Sequence, residues 1–414
     1  MTASEAGQAQ LAIAETDGRR GLVISALGII QILAWGSSYY LSAVLAKPIV
    51  ETTGWPYGWV IGGLSLGLLV SGLVSIRVGR TIDHYGGRPV LATSAVLLAV
   101  GLVMLAAAPN IPLYVCAWLV LGLGMGAGLY DAAFSTLGRL YGRSARSAIT
   151  SLTLWGGFAS TVCWPFSAFL VETIGWREAC LVYAAIHLVV TLPLNLFVIP
   201  REPRRGAEPH VPAPVASAVG PSPVTHSAFV FGLLATILTT GGTISAMWSV
   251  HLITLLQARG IALSGAVGLG ALVGPAQVGA RVVEMLAGSR HHPIWTQFAG
   301  VILIATGLAL LWSGFSLPAI ALISYGAGNG IWSIARGTLP LALFGASGYA
   351  ILMGRLAMPS LIAQAMAPSI GAVLMQHFGA TATFAVMTGL ALLNVACVAM
   401  LWLACRKAIA EPVG

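Results

Sequence analysis

Long apolar segments separated by short polar ones occupy most of the chain. An α-helix needs about 20 apolar residues to cross the hydrocarbon core of a bilayer. Twelve segments are long enough, at 21–46, 57–78, 89–108, 111–139, 148–171, 177–199, 226–256, 261–286, 293–314, 317–345, 350–377 and 381–405. The pattern therefore predicts an all-α membrane protein with twelve transmembrane helices.

One long polar interruption divides these segments into two groups of six. Residues 201–225 are rich in proline, alanine and charge, a composition typical of a flexible linker. We therefore expect one six-helix bundle at 21–200 and a second at 226–405. Short tails are predicted at 1–20 and 406–414, and the polar residues 1–18 are expected to be disordered.

The two groups also resemble each other. Asp83 follows the second segment and Glu284 follows the eighth, 201 residues later, while Pro165 and Pro368 lie 203 residues apart in the fifth and eleventh segments. Two matched features at nearly one offset indicate duplication. Parallel repeats of this kind predict a transporter whose central site lies between two six-helix pseudo-repeats.

Composition excludes a soluble protein. Only 8% of residues are charged and 57% are hydrophobic, whereas roughly 25% of an ordinary soluble domain is charged. So little charge cannot solvate the surface of a soluble protein of this size. The 50 glycines fit a membrane bundle as well, because small residues let membrane helices approach closely. The lipid bilayer is therefore an expected partner.

The placement of lysine and arginine predicts the orientation. With the N-terminus inside, sixteen of the twenty basic residues fall in cytoplasmic segments, three fall outside (Lys47, Arg177 and Arg259), and Arg336 lies within a segment. By the positive-inside rule both termini are cytoplasmic. We expect a multi-pass protein of the cell inner membrane. The net charge of +8 is not gathered into a patch, so nucleic acid is not an expected partner.

Enzyme chemistry is not indicated. The sequence contains no phosphate-binding GxxxxGK[ST] motif, and the adjacent His291 and His292 have no carboxylate pair nearby. The cysteines lie in apolar segments without CxxC spacing, which argues against a metal cage and against disulfides. They are Cys116, Cys163, Cys180, Cys397 and Cys405. We expect no catalytic residues, no metal and no cofactor.

The turn between the second and third segments carries a family resemblance. It reads Gly-Arg-Thr-Ile-Asp-His-Tyr-Gly-Gly-Arg over 79–88 and resembles the loop signature of the major facilitator superfamily at Gly79, Asp83, Gly86 and Arg88. His84 and Gly87 stand where that family usually has basic residues. The resemblance implies that these residues, with Arg281 and Glu284 after the eighth segment, act as a conformational latch. The competing interpretation is an ordinary solvated turn.

Other segments agree with this family. Gly175-Trp176-Arg177 resembles its outer GWR loop, and Pro165 resembles the proline of its fifth-helix antiporter motif, although the usual glycines are replaced there. A narrower resemblance lies at 328–340, which is similar to a phrase in bacterial permeases that include arsenite efflux proteins. It implies proton-coupled efflux of arsenite or related metalloids, by antiport.

Two ionisable residues lie deep inside predicted spans. Burying a charge at the centre of a membrane helix costs about 2.5–3.5 kcal/mol on insertion scales, so such residues need a reason. Asp131 lies in the fourth segment and Arg336 in the tenth, 205 residues later, at nearly equivalent depths. We hypothesise that Asp131 is the titratable coupling group, with Arg336 its partner or the contact for an anionic substrate. The alternative is a static ion pair that only fixes helix packing.

Further polar side chains are candidates for the cavity. Asn329 shares the helical face of Arg336 at a spacing of seven residues. The first and seventh helices commonly line the cavity in the resembled family, which adds Gln31, Trp35, Tyr39 and His251. Tyrosine and tryptophan near span ends are equally common as interfacial anchors, and a lone histidine is more often structural.

Several functions remain open from the sequence. The leading interpretation is a monomeric secondary active transporter that moves a small-molecule substrate by alternating access, coupled to protons. The alternatives are an importer or exporter of a small organic anion or drug, and a non-transporting membrane receptor.

Overall fold

The computed structural model describes residues 3–204, 228–287 and 290–410, and within these ranges the chain is almost entirely helical. The first part comprises α1 (Ala3–Trp35), a π-helical turn (Gly36–Tyr40), α2 (Leu41–Thr53), α3 (Tyr57–Tyr85), α4 (Gly87–Ala106), α5 (Ile111–Gly128), α6 (Tyr130–Tyr141), α7 (Ala145–Gly157), α8 (Ala159–Ile174), α9 (Trp176–Ile186) and two further π-helical turns (His187–Thr191 and Leu194–Val198). A short 3-10 turn, Gly142–Ser144, joins α6 to α7.

The second part follows the predicted linker, of which residues 205–225 lie outside the described ranges. It comprises α10 (Ala228–Gln257), α11 (Leu263–Gly270), α12 (Val273–Ala287), α13 (Pro293–Trp312), α14 (Pro318–Phe344) and α15 (Tyr349–Ala410). The prediction of an all-α protein is therefore confirmed for the described residues.

Each of the twelve predicted segments coincides with helix. Ten helical stretches of the described chain are long and apolar enough to cross a membrane. The tenth predicted segment, α14, is a helix of 27 residues that contains four glycines. The last two predicted segments are joined in α15, where Gly379 (φ 79°, ψ 175°) interrupts the helical backbone. The count of twelve spans stays a prediction.

The first helix begins earlier than expected. The sequence predicted disorder over residues 1–18, whereas the described α1 starts at Ala3. The segment 3–18 is rich in alanine, glutamate and glutamine, which are strong helix formers. It can therefore continue the helix of the first span.

Several predicted spans are broken rather than continuous. The fourth span divides into α5 and α6 at Leu129, whose backbone is extended (φ −78°, ψ −171°). The fifth span divides at Phe158, where the amide bonds to the carbonyl of Trp155, three residues back. The first span contains the π-helical turn at Gly36–Tyr40. Breaks of this kind in a membrane bundle occur where the backbone is buried in protein or lines a cavity.

Arg20 and Arg139 lie at one end of the bundle, which we call the basic face. Arg20 donates to the carbonyl of Ser144 at 2.7 Å, and Arg139 donates to the carbonyl of Ile82 at 2.8 Å. These contacts bring the start of the first span, the end of the second and the loop after the fourth to the same end. Arg80 and Arg88 lie in the same region of the chain.

The two parts meet along several helices. α3 packs along α15, and α7 packs against α12 and α14. Towards the basic face, Ser75 Oγ donates to the carbonyl of Gly354 at 2.8 Å. Tyr349, whose phenol donates to the carbonyl of Gly337 in its own part, places its ring against the first part. Gly138 leaves the room that the Tyr349 ring occupies. The structure is therefore closed at the basic face.

Candidate functional site

The ionisable residues of the fourth and tenth spans form an ion pair. Arg336 Nη2 lies 2.5 Å from Asp131 Oδ2, and both side chains are largely buried, at 9% and 16% exposed. Such charge-assisted hydrogen bonds are roughly twice as strong as neutral ones. Because Asp131 comes from the first part and Arg336 from the second, the pair joins the two parts across their interface.

The break in the fourth span gives Asp131 a particular environment. Since α6 begins at Tyr130, the aspartate lies in the first turn of this helix. The positive end of a helix dipole stabilises a carboxylate there. Its second oxygen, Oδ1, is buried and has no hydrogen-bond partner among the described residues. A buried polar atom without a partner is uncommon, and this oxygen is available to a proton or a ligand.

A second arginine lies inside the same interface. The sequence grouped Arg281 with the loop latch, but the structure places it only 5% exposed between the two parts. Its Nη1 donates to the carbonyl of Thr153 at 2.9 Å, and its Nε donates to the carbonyl of Gly330 at 3.3 Å. No carboxylate among the described residues forms an ion pair with it.

Two neighbouring glycines of α7 make room for this arginine and for Tyr130. A side chain on Gly157 would collide with Arg281 Nη1, and one on Gly156 would collide with the hydroxyl of Tyr130. The Tyr130 phenol lies in the field of both Arg281 and Arg336. The centre of the interface therefore holds two guanidinium groups, one carboxylate and a tyrosine, with an excess of one positive charge.

Aromatic rings of the first span border this centre. The ring centroid of Trp35 lies 5.4 Å from that of Tyr39 and 5.3 Å from that of Tyr130. Gln31 is fully buried, and its Nε2 donates to the carbonyl of Gly128 at 2.7 Å. Gln31 thereby satisfies a carbonyl at the break in the fourth span, so the structure gives it a positioning contact.

The other candidates lie further from the pair. Tyr39 Oη is 3.2 Å from Ser249 Oγ and joins the first and seventh spans. His251 Nε2 lies 2.8 Å from the carbonyl oxygen of Pro368, a contact between the seventh and eleventh segments. Asn329 is partly buried on α14, two turns before Arg336. Of the predicted set, the structure brings Asp131 and Arg336 into direct contact, with Trp35 nearby through Tyr130.

The loop signature lies at the basic face. Gly79 faces the carbonyl of Ala350 so closely that a side chain there would collide with it. Gly86 adopts a positive φ of 87°, and Arg88 is partly buried in the first turn of α4. Asp83 lines a cavity of about 590 Å³ together with residues of both parts, among them Ala346.

Two residues of this region were not foreseen as a pair. Glu202, the second residue of the predicted linker, forms an ion pair with Arg139 at 2.5 Å. Its other oxygen accepts from the amide of Gly87 at 3.2 Å, at the start of α4. The first residues of the linker are therefore ordered and contact the loop signature. Sequence spacing gave no signal for it, because the partners lie 63 residues apart.

The corresponding loop of the second part holds a polar cluster. Glu284 Oε1 accepts from Thr296 Oγ1 at 2.7 Å, and His291 Nε2 lies 3.4 Å from the same oxygen. His292 Nδ1 accepts from the amide of Ile294 at 3.2 Å and so caps α13. Burial lowers the pKa of His292 to about 4, with Arg146 and His291 adding to the effect.

This cap predicts a pH-dependent stability. A histidine whose folded pKa lies below its unfolded value of about 6.5 stabilises the fold above that value and loses the contribution as pH falls towards 4. His292→Asn keeps an N-cap without titrating. We expect the melting temperature of the purified variant to fall less than that of the wild type between pH 7 and pH 4.5. Equal losses in both proteins would contradict this assignment.

Comparison with known proteins identifies the family of the chain and agrees with its fold. Residues 27–354 match the family model of the Major Facilitator Superfamily. Human monocarboxylate transporter 11 is 29% identical over 328 residues, which cover 73% of this chain and 66% of that protein. The chain thus matches less than two thirds of the length of this relative.

Solved structures share the architecture. The proton:xylose symporter XylE superposes with a TM-score of 0.73 at 13% identity, over 95% of this chain and 97% of that one. The human organic anion transporter MFSD10 (TETRAN) gives 0.70 at 17% identity, over 92% and 99%. At such identities the likeness establishes the fold alone. With the family match spanning most of its length, the chain belongs to the Major Facilitator Superfamily of membrane transporters.

Proposed function

We propose that this protein transports small organic anions, with monocarboxylates as the first class to test, together with a proton. The observation that carries the proposal is the charge of the buried centre. Arg336 is neutralised by Asp131, whereas among the residues that the structure describes Arg281 donates only to the backbone carbonyls of Thr153 and Gly330. A buried cation without a counter-ion is costly, and a substrate carboxylate supplies the missing charge.

The names of similar proteins support this choice of substrate class. Curated relatives are monocarboxylate transporters, and one structural neighbour is an organic anion transporter. A guanidinium group also suits a carboxylate geometrically, because its planar fork can donate two parallel hydrogen bonds.

Asp131 then acts as the coupling group. Protonation of its carboxyl removes the charge that holds Arg336, and the freed guanidinium contributes to binding the substrate anion. One proton and one carboxylate enter the site together, so the charge of the loaded centre equals that of the resting one. Release of the substrate lets Asp131 lose its proton and pair again with Arg336.

The position of the centre suits alternating access. Both arginines belong to the second part and contact the first, at Thr153 of α7 and at Asp131 of α6. Opening the basic face separates these partners, so binding and conformational change involve the same contacts. We propose that the loop signature and the Glu284 cluster hold that face shut as the latch. We also propose that the halves are the bundles 21–200 and 226–405, that the protein works as a monomer, and that the basic face is cytoplasmic in the cell inner membrane.

Proton-coupled efflux of arsenite has less support. Among the described residues no group of three His, Cys, Asp or Glu side chains is placed to hold a metal. Of the cysteines, Cys163 and Cys180 are buried in the first part, while Cys397 and Cys405 are buried in the second. Growth of a metalloid-sensitive strain on graded arsenite tests this alternative. If expression of the protein does not restore growth on arsenite, arsenite efflux is ruled out.

The substitution Asp131→Asn tests the coupling. The amide cannot exchange a proton, so we expect pH-driven uptake of a labelled monocarboxylate into proteoliposomes to fall at least ~10-fold, within the range of roughly 5- to 150-fold that is typical of coupling between two sites. Exchange of internal for external substrate needs no net proton movement and is expected to persist. Glu51→Gln is the matched control, because Glu51 pairs with Lys47 on the surface and is 61% exposed. Unchanged pH-driven uptake in Asp131→Asn would refute the role of this carboxyl.

A further inference from the structure

A small buried cavity lies inside the first part, beside the break in the fourth span. Its volume is about 10 Å³, which is room for a single water-sized particle. Five of its lining residues bear polar groups, namely Ser94, the backbone of Gly128, His187, Thr191 and Asn195. None of them takes part in the transport cycle proposed above.

Asn195 supplies the clearest sign of an occupant. The side chain is fully buried, and its Nδ2 donates to the carbonyl of Leu91 at 3.2 Å. Its Oδ1 is buried, and no residue in the described part of the chain donates a hydrogen bond to it. An unpaired buried amide oxygen costs about 1–3 kcal/mol, and this oxygen belongs to a residue that lines the cavity.

The hydroxyl groups of the lining have already committed their hydrogens. Ser94 Oγ donates to the carbonyl of Gly124 at 2.7 Å, and Thr191 Oγ1 donates to the carbonyl of His187 at 2.7 Å. Because the Thr191 hydroxyl hydrogen is used in this way, Thr191 Oγ1 accepts from His187 Nδ1 at 2.9 Å. The other ring nitrogen, Nε2, then accepts from the Ser37 hydroxyl at 2.6 Å. The imidazole is neutral and fully used, and the hydroxyls offer only lone pairs.

The fourth oxygen comes from the broken helix. The carbonyl of Gly128 is the last of α5 and accepts one hydrogen bond, from Gln31 at 2.7 Å, which leaves its second lone pair free. The C-terminal end of a helix carries partial negative charge. Carbonyls at such ends, within discontinuous membrane helices, are the groups that coordinate sodium in many transporters.

We propose that this cavity is a binding site for one sodium ion. Its lining presents four oxygen acceptors, from Ser94, Gly128, Thr191 and Asn195, and the hydrogens of its two hydroxyl groups are already donated elsewhere. A water molecule has two hydrogens and would leave two of the four oxygens facing its own lone pairs, whereas a cation is attracted by all four. Hard cations prefer such oxygen ligands. The small volume favours sodium or lithium over potassium.

Thermal unfolding of the purified full-length protein tests the site without requiring transport. Choline chloride is replaced stepwise by sodium, lithium or potassium chloride at constant ionic strength, and the melting temperature is recorded. A ligand that binds only the folded state stabilises it by RT ln(1 + L/Kd), where L is the ligand concentration, so the melting temperature rises with the logarithm of the ligand concentration above Kd. We expect such a rise with sodium and lithium and none with potassium.

Three variants make the test specific. Asn195→Leu replaces the unpaired oxygen by methyl groups of similar size and is expected to weaken the sodium effect at least ~10-fold. Asn195→Asp keeps the oxygen, adds a negative charge and is expected to strengthen it. Asn394→Leu is the matched control, because Asn394 is also buried, donates to the carbonyl of Ile237 and has an unpartnered Oδ1, yet does not line this cavity.

Two results would overturn the proposal. One is a melting temperature that is the same in sodium and choline for the wild type, which would mean that a water molecule fills the cavity. The other is an undiminished sodium effect in Asn195→Leu, which would place the ion elsewhere in the protein.

Discussion

Arg281→Gln is expected to lower monocarboxylate uptake into proteoliposomes at least ~100-fold. In the proposed cycle this guanidinium meets the substrate carboxylate in a buried site, and truncating one partner of a buried charge pair costs about 2–5 kcal/mol. At about 1.4 kcal/mol per factor of ten, the middle of this range exceeds 100-fold. Glutamine still donates a hydrogen bond, so the variant isolates the loss of charge.

The controls separate charge from packing. Arg281→Lys keeps the charge but not the planar fork, and we expect an intermediate loss, seen mainly as a higher KM. Arg259→Gln serves as the matched control, because Arg259 is outside the helical spans and donates to the carbonyl of Trp312 at 3.2 Å. Uptake at the wild-type rate by a correctly inserted Arg281→Gln variant would show that Arg281 does not bind the substrate.

Gly354→Ala is expected to shift the protein away from the state closed at the basic face. An added Cβ would collide with the carbonyl oxygen of Ser75. The hydrogen bond from Ser75 Oγ to the carbonyl of Gly354 lies at the same contact between α3 and α15. Overpacking a tight contact costs about 1–3 kcal/mol, which corresponds to a shift of roughly 5- to 150-fold in the conformational equilibrium.

Thiol accessibility measures this shift. Leu341 is buried in a cluster with Ala350 and Met353, which precede Gly354 on α15. A single cysteine at this position, in a cysteine-free background, is therefore expected to react with a hydrophilic maleimide only when the basic face opens. We expect faster labelling and slower uptake in Gly354→Ala. Gly389→Ala is the control, because a Cβ at Gly389 has no neighbour within 4 Å. Equal labelling rates in the wild type, Gly354→Ala and Gly389→Ala would show that the contact between Ser75 and Gly354 does not stabilise the closed state.

The sequence predicted the helical architecture because membrane burial imposes a simple rule. A helix in lipid must be apolar for about 20 residues, and the chain follows this rule so regularly that each predicted segment coincides with helix. The same rule made Asp131 and Arg336 conspicuous, since each is a charged residue within an otherwise apolar span. The repeat offset put them at similar depths, and the structure shows them paired.

The sequence did not predict features that depend on tertiary contact. The break at Leu129 has no proline to mark it, and it is supported instead by Gln31 from another span. Arg281 lies near a span end in the sequence and was grouped with the loop latch, but Gly157 of another helix admits its side chain to the interior. Room created by glycines of a different helix cannot be read from the arginine's own neighbours.

The central claim is that a proton and an organic anion cross together. The most direct measurement is the internal pH of proteoliposomes that contain the wild-type protein and a trapped pH indicator, after a monocarboxylate is added outside without any imposed pH gradient. The account predicts acidification of the lumen that requires the protein, saturates with substrate and is lost in Asp131→Asn. Saturable substrate entry with no change in internal pH would contradict it.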